Sequence, residues 1–288
     1  MREQMPPVTK NLLIINILMY IAAFVLRSYD IDLSKLMGLH FFMASDFRLH
    51  QIITYLFMHG SFEHLFFNMF ALWMFGRIIE QVMGQKRFLT YYLVCGIGAG
   101  LMQELVQYIH YLTLVPELGN VPAESLANAL NVWNTVGASG AVYGILLAFG
   151  MTFPEERMFI IPIPFPIKAK YFVVGYAIIE LLSAMLRSND GVAHMAHLGG
   201  MLFGLILLLN WRNPGGLKKW WNKQKSSFRK PKMKIHRGGG KFADEMDYNE
   251  RMQARQKEID RILDKVKAHG YGSLTEDEKR KLFDASGK

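Results

Sequence analysis

The sequence predicts an all-α polytopic membrane protein: a bundle of six transmembrane helices followed by a basic, helical cytoplasmic tail. Two observations carry this. Apolar residues make up 51% of the 288-residue chain, and they gather into six stretches, roughly 11–27, 60–79, 87–109, 135–153, 169–187 and 192–211. Each approaches the ~20 residues that an α-helix needs to cross a bilayer core. Charge is divided just as sharply. Residues 1–211 carry 12 Lys+Arg against 13 Asp+Glu, a net of −1, whereas 212–288 carry 21 against 11, a net of +10. A nearly neutral apolar body therefore precedes a water-soluble basic segment. The single cysteine, Cys95, lies inside an apolar stretch and excludes an intramolecular disulfide framework.

The organisation expected along the chain is an N-terminus over 1–10, a membrane domain over 11–211, a polybasic juxtamembrane linker over 212–241 and a small helical tail over 242–288. The first span follows the polar run Met1 to Pro7 without a small-residue cleavage site, so it reads as retained rather than as a signal peptide. An even number of spans puts both termini on one side. That side holds Arg2, Lys10, Arg77, Lys86, Arg87, Arg157, Lys168, Lys170 and the tail, and the other holds only Arg27, Lys35, Arg48 and Arg187. By the positive-inside rule both termini face the cytoplasm. A bacterial inner membrane is the expected location from the compact six-span form.

The external connection 28–58 is long and aromatic-rich around Leu39-His40-Phe41-Phe42, and loops of that length are usually functional or interfacial. The cytoplasmic link 154–167 contains Pro154, Pro162, Pro164 and Pro166, which exclude helix and predict a stiff extended strap. Span 5 is the weakest because it contains Glu180. After Trp211, residues 212–241 hold 11 Lys/Arg and no acidic residue. A polybasic stretch tethered beside a bilayer attracts anionic lipid head groups, and this reading is preferred to a nucleic-acid partner. Ile259, Ile262, Leu263 and Val266 then recur at helical spacing, and Ser273-Leu274-Thr275-Glu276 has the form of a capping box opening a short final helix.

Polar groups at membrane depth mark the candidate chemistry, because they are costly there and need partners. Spans 2, 4 and 6 all run from outside to inside, and each carries polar residues in its outer half: His64 and Asn68, then Ser139, then His197. His64 and Asn68 are i, i+4 and share a helix face, as do Ser139 and Tyr143. Gly200 and Gly204 continue the stripe of His197, and Gly140 and Gly144 form a matching stripe on span 4. Small residues let helix backbones approach closely, so packing these faces brings Ser139 and His197 within hydrogen-bond reach, as a nucleophile and its base require. Taken singly each motif has a plainer reading: a packing stripe with an incidental serine, or a buried structural histidine. His59, His64, His194 and His197 together raise a metal or solute transporter, against which stands the absence of any Asp, Glu or Cys joining them in the sequence. His59 reads as a loop anchor, His194 as interfacial, and Glu63 as pointing away from His64. Glu104 and Glu180 have no account beyond snorkelling or a wet cavity.

His64-Leu-Phe-Phe-Asn68, Gly137-Ala138-Ser139-Gly140 with Tyr143, and Ala196-His197 followed by Gly200 and Gly204 resemble, in order and span, the signature set of the rhomboid intramembrane serine proteases. The resemblance covers about residues 8–211. It implies a rhomboid-like fold and a serine endopeptidase that cleaves single-pass transmembrane proteins near the outer face of the bilayer. Ser139 is then the nucleophile and His197 the base, in a dyad without a carboxylate. Tyr143 stacks on His197, and His64, Asn68 and the Ser139 N–H form the oxyanion hole. No cofactor or metal is implied. The first external loop packs sideways in the membrane and span 5 acts as substrate gate, although Leu49-His50 stands where the family more usually has Pro and an aromatic. The alternative is a catalytically silent relative that binds membrane clients as a scaffold.

Overall fold

The computed structural model describes residues 4–119, 121–159, 165–186, 192–214 and 241–286. It divides into two units, Met1–Lys223 and Gln224–Lys288.

Among the described residues, six helical rods build the first unit, one for each apolar stretch: α1 (Pro7–Arg27), α4 (Phe62–Ala71) running through a π turn (Leu72–Gly76) into α5 (Arg77–Met83), α6 (Gln85–Leu118), α8 (Ser139–Thr152), α9 (Ala169–Met185) and α10 (His194–Arg212). Between them lie the short helices α2 (Leu33–Met37), α3 (Gln51–Thr54) and α7 (Ala123–Ala129). The burial pattern is that of a body immersed in lipid. On α1 only Thr9, Leu12 and Asn16 are buried, while Leu18 and Phe24 are 58% and 71% exposed. Large apolar side chains left outward on a helix that is apolar all round require a nonaqueous surround.

Three of the rods, α1, α6 and α10, are each long and apolar enough to cross a membrane alone. The other three have local reasons for falling short. The second is interrupted by its π turn, α9 has 17 residues, and α8 has 14. At 1.5 Å per residue α8 is about 21 Å long, well under a ~30 Å hydrocarbon core. It is also the most enclosed rod, with residues such as Gly140, Ala141, Gly144, Ile145 and Ala148 buried on several faces.

Several boundaries differ from those expected. Span 4 does not start at 135, because Asn134–Thr135 forms a strand (β2) paired antiparallel with Leu39–His40 (β1), Leu39 opposite Thr135. The helix begins only at Ser139, after Gly137 with φ +133°. Span 3 extends beyond 109, to Leu118: α6 has 34 residues, about 50 Å. The proline strap is closed at its base by two short strands, β3 (Arg157–Met158) and β4 (Ile167–Lys168). Pro162 and Pro164 lie outside the described residues. Beside this hairpin the exposed Glu155 carboxylate accepts from Lys168 Nζ at 2.6 Å and from Lys170 Nζ, and these bonds hold its pKa down at about 2.

Some polar residues at depth hold elements together. Glu80 on α5 is 2% exposed and accepts from Val8 N (2.9 Å), Thr9 N (2.7 Å) and Thr9 Oγ1 (2.7 Å), so a carboxylate caps the otherwise unpaired N-terminus of α1. Glu80→Ala leaves those donors buried without an acceptor. It is expected to destabilise the unit by about 3 kcal/mol, read as a lowered unfolding midpoint in detergent. Glu104 on α6 accepts the Phe42 N–H at 2.9 Å and ties the external loop to the bundle. Its other oxygen, Oε1, is buried without a hydrogen-bond partner among the described residues. Next to this bond Phe41, fully buried, packs edge-on to Trp133 at 5.3 Å.

The second unit contains α11 (Lys241–His269) and α12 (Glu276–Ser286), joined as a hairpin by Lys265–Glu278 (2.9 Å) and Lys281–Glu258 (2.7 Å) around buried Ile262 and Leu274. The capping box falls two residues later than Ser273-Glu276. Thr275 N donates to Glu278 Oε2 at 2.9 Å, and Glu278 N donates to Thr275 Oγ1 at 3.3 Å. Residues 215–240, most of the polybasic linker, lie outside the described residues.

Candidate active site

The site is assembled by three helix N-termini and the C-terminal half of a fourth helix, α9. Ser139 is the first residue of α8 and His197 is in the first turn of α10. The two helices touch through backbone. A Cβ added at Gly200 would overlap the Gly140 carbonyl, so only glycine permits this approach. The contact leaves His197 Nε2 2.8 Å from Ser139 Oγ. Gly204 does not continue the α8 contact. It faces α6, where a Cβ would collide with the Tyr91 hydroxyl and Cys95 Sγ, so the stripe serves two neighbours.

Gly137 has two reasons to be glycine. Its φ of +133° lies where L side chains rarely go, and a Cβ there would be 2.7 Å from the His64 ring and 3.5 Å from Ser139 Oγ. Its N–H donates to Tyr55 O at 3.0 Å, and Tyr55 Oη donates to Gly96 O at 2.6 Å, which fixes the approach to α8 against the external loop and α6. The Ser61 side chain caps α4 by accepting the His64 N–H at 3.1 Å, which puts His64 in the first turn, facing Gly137. One turn on, Asn68 is buried and its Nδ2 donates to the His64 carbonyl at 2.8 Å. His59 is buried edge-on to His64, with ring centroids 5.1 Å apart, and Glu63 is exposed.

Tyr143 lies flat on His197, with ring centroids 4.3 Å apart and planes within 8°. His64, Asn68, Ser139, Gly140, Tyr143 and His197 all line one cleft of about 1730 Å³, which continues between the α4–α5 rod and α9 past Phe67, Met74, Phe172 and Tyr176. A serine, two histidines and an asparagine thus meet in space that admits water and is walled by aromatic and apolar side chains.

The expectation that no acidic residue lies near His197 is overturned. Glu180, on α9, is 5% exposed and its Oε2 lies 2.7 Å from His194 Nδ1 and 3.0 Å from His197 Nδ1. Its other oxygen accepts from the Tyr143 hydroxyl. His194 is accordingly an inward-facing partner and not an interfacial residue, and Glu180 supplies the acidic companion whose absence from the sequence pattern argued against a metal cluster. Glu180, His194 and His197 bring three possible ligand atoms within 4.8 Å of one another. The two closest separations, 2.7 and 3.0 Å, are hydrogen-bond and ion-pair lengths. Donors around a tetrahedral zinc with ~2.0–2.1 Å bonds sit about 3.3 Å apart.

Residues 46–212, more than half of the chain, match the rhomboid domain family. The chain belongs to the rhomboid family. This rhomboid also carries, over 245–288, a match to a family of unknown function. Its relatives include the human mitochondrial presenilin-associated rhomboid-like protein, 31% identical over 175 residues, which is 58% of this chain and 40% of the relative. Rhomboid protein 1, mitochondrial, of Saccharomyces cerevisiae is 28% identical over 162 residues, 54% of this chain and 40% of the relative. Rhomboid-like protein 11, chloroplastic, of Arabidopsis thaliana is 25% identical over 175 residues, 55% of this chain and 51% of the relative. The matched region therefore spans about half or less of the length of these relatives. Their names place them in mitochondria and chloroplasts, so a bacterial inner membrane draws no support from them.

Glu180 is the residue that sequence reasoning left without an explanation. A usable signal was present. In an antiparallel pair of helices, a carboxylate five residues before the end of α9 and a histidine three residues into α10 lie at similar depth.

Proposed function

We propose that this rhomboid is an intramembrane serine endopeptidase acting on single-pass transmembrane proteins. The observation that carries the reading is the 2.8 Å contact between His197 Nε2 and Ser139 Oγ inside a water-accessible cleft. Family membership supports a protease-type fold. Ser139 Oγ attacks the scissile carbonyl carbon as its proton passes to His197 Nε2. The oxyanion forms beside His64, Asn68 and the Ser139 N–H at the start of α8, where the helix dipole favours negative charge. Collapse breaks the C–N bond, His197 returns the proton to the leaving amine, and an acyl-enzyme ester remains. Water, deprotonated by His197, then hydrolyses the ester. No step calls for a cofactor. His64→Ala is expected to lower kcat about 100-fold or more, as loss of one oxyanion donor does, measured with a fluorogenic single-pass substrate in proteoliposomes.

The cleft between the α4–α5 rod and α9 supplies a lateral route for a substrate segment. A hydrogen-bonded helix hides its carbonyl carbons, so segments that unwind easily should be preferred. Replacing Gly or Pro near a cleavage site with Leu is expected to slow cleavage. Equal rates for the two would remove this selectivity rule.

The decisive assay is cleavage of that substrate, with the cut mapped by mass spectrometry. The reading expects a cut in the outer part of the segment that disappears in Ser139→Ala. Undiminished cleavage by Ser139→Ala would refute it, and client binding without cleavage by the wild type would favour the scaffold. By the distribution of Lys and Arg, both termini face the cytoplasm. Residues 212–241 then lie against anionic head groups. Trypsin should cut there more slowly in anionic than in zwitterionic nanodiscs, with the difference removed by high salt.

A further inference from the structure

Glu180 sits in the middle of an apolar helix at 5% exposure, where an ionised carboxylate is costly unless its oxygens are satisfied. Among the described residues its hydrogen bonds come from the catalytic neighbourhood, Tyr143 on one oxygen and His194 on the other. His197 Nδ1 lies 3.0 Å from that second oxygen, at ion-pair distance but out of line for a hydrogen bond. The group that stacks on the His197 ring and the group that lies beside its Nδ1 are thus bonded to each other. The remaining ring nitrogen, Nε2, meets Ser139. An imidazole can serve as base through Nε2 only when its proton resides on Nδ1, and a carboxylate at Nδ1 selects that tautomer and stabilises the imidazolium formed during attack.

We propose that Glu180 completes the Ser139–His197 pair as a positioning residue, holding His197 in orientation and tautomer from α9. The proposal rests on the proteolytic reading of Ser139 and His197. In the step concerned the Ser139 proton moves to His197 Nε2, the Nδ1 proton stays on the ring, and the Glu180 carboxylate 3.0 Å away stabilises the imidazolium by its charge without being protonated. His194, the first residue of α10, locks the carboxylate. Tyr143, bonded to the same carboxylate, keeps the ring from tipping.

The alternative use of the same atoms, a bound divalent metal, fits less well because the donors stand at hydrogen-bond separations. A purely architectural link between α9 and α10 is the other alternative, and the experiment is chosen against both. Wild type, Glu180→Gln, Glu180→Asp, Ser139→Ala and His197→Ala are reconstituted in proteoliposomes, and kcat, KM and the rate of fluorophosphonate labelling are measured beside the unfolding midpoint in detergent. The isosteric Glu180→Gln should lose on the order of 100-fold or more in kcat and in labelling rate, as acid members of triads do when neutralised. KM should stay within about 2-fold and Glu180→Asp should recover part of kcat. Wild-type kcat in Glu180→Gln would overturn the proposal while the proteolytic reading stands. So would a fall in kcat that merely tracks the unfolding midpoint and is not restored by Asp. Loss of wild-type activity on adding phenanthroline, restored by zinc, would overturn it in favour of a metal site. Cleavage surviving in Ser139→Ala would overturn the proteolytic reading itself.

Discussion

Gly200→Val is expected to abolish proteolysis and to lower the stability of the membrane unit by about 3 kcal/mol or more, beyond the usual cost of overpacking a core. The reason lies in what the new side chain meets. A Cβ at this position would overlap the Gly140 carbonyl and come within 3.1 Å of Gly140 Cα. Backbone atoms cannot rotate aside as a side chain can, so α10 must withdraw from α8. Any withdrawal lengthens the 2.8 Å separation of His197 Nε2 and Ser139 Oγ, because both residues lie within a turn of the contact. Misplacement by about 1 Å can alone cost roughly 100-fold in rate. Gly175→Val is the control, since a Cβ there meets nothing within 4 Å. Unfolding midpoints and substrate cleavage for the two variants separate the effect of the contact from that of adding a β-branched residue to any helix.

Ser139→Ala and His197→Ala are each expected to reduce kcat by about 10⁴-fold or more, and the double variant should be no worse than the more damaging single one. Groups that act as one unit are non-additive in this way, because a nucleophile without its base and a base without its nucleophile are equally idle. Two independent binding contributions would instead multiply. Full kinetic analysis of the three variants distinguishes these outcomes.

Much of the bundle was legible because membranes impose a simple constraint. Every backbone polar group must be bonded within its own segment, so apolar runs map onto helices, as Pro7–Arg27 and His194–Arg212 illustrate. The depth match among His64, Ser139 and His197 was readable for the same reason. Features set by tertiary contact were hidden. The start of α8 at Ser139 depends on pairing of Leu39 with Thr135 and on the φ of Gly137, and neither leaves a hydropathy signal. The π turn over Leu72–Gly76 looks like uninterrupted apolar helix in the sequence. Glu104 and Glu180 looked alike as acids within spans and Glu80 drew no notice, yet Glu80 caps α1, Glu104 fastens a loop and Glu180 joins the Ser139–His197 pair. Only their partners separate them. In the tail, Thr275 and Ser273 both satisfy a capping pattern, and the hairpin contact of Glu278 with Lys265 accompanies the choice of Thr275.

The central claim, that His197 activates Ser139, is tested most directly by labelling the detergent-solubilised protein with a fluorophosphonate probe. Wild type is expected to label, Ser139→Ala not at all, and His197→Ala at least about 100-fold more slowly. An absence of labelling in wild-type protein shown to be folded, or equal labelling of wild type and His197→Ala, would contradict it.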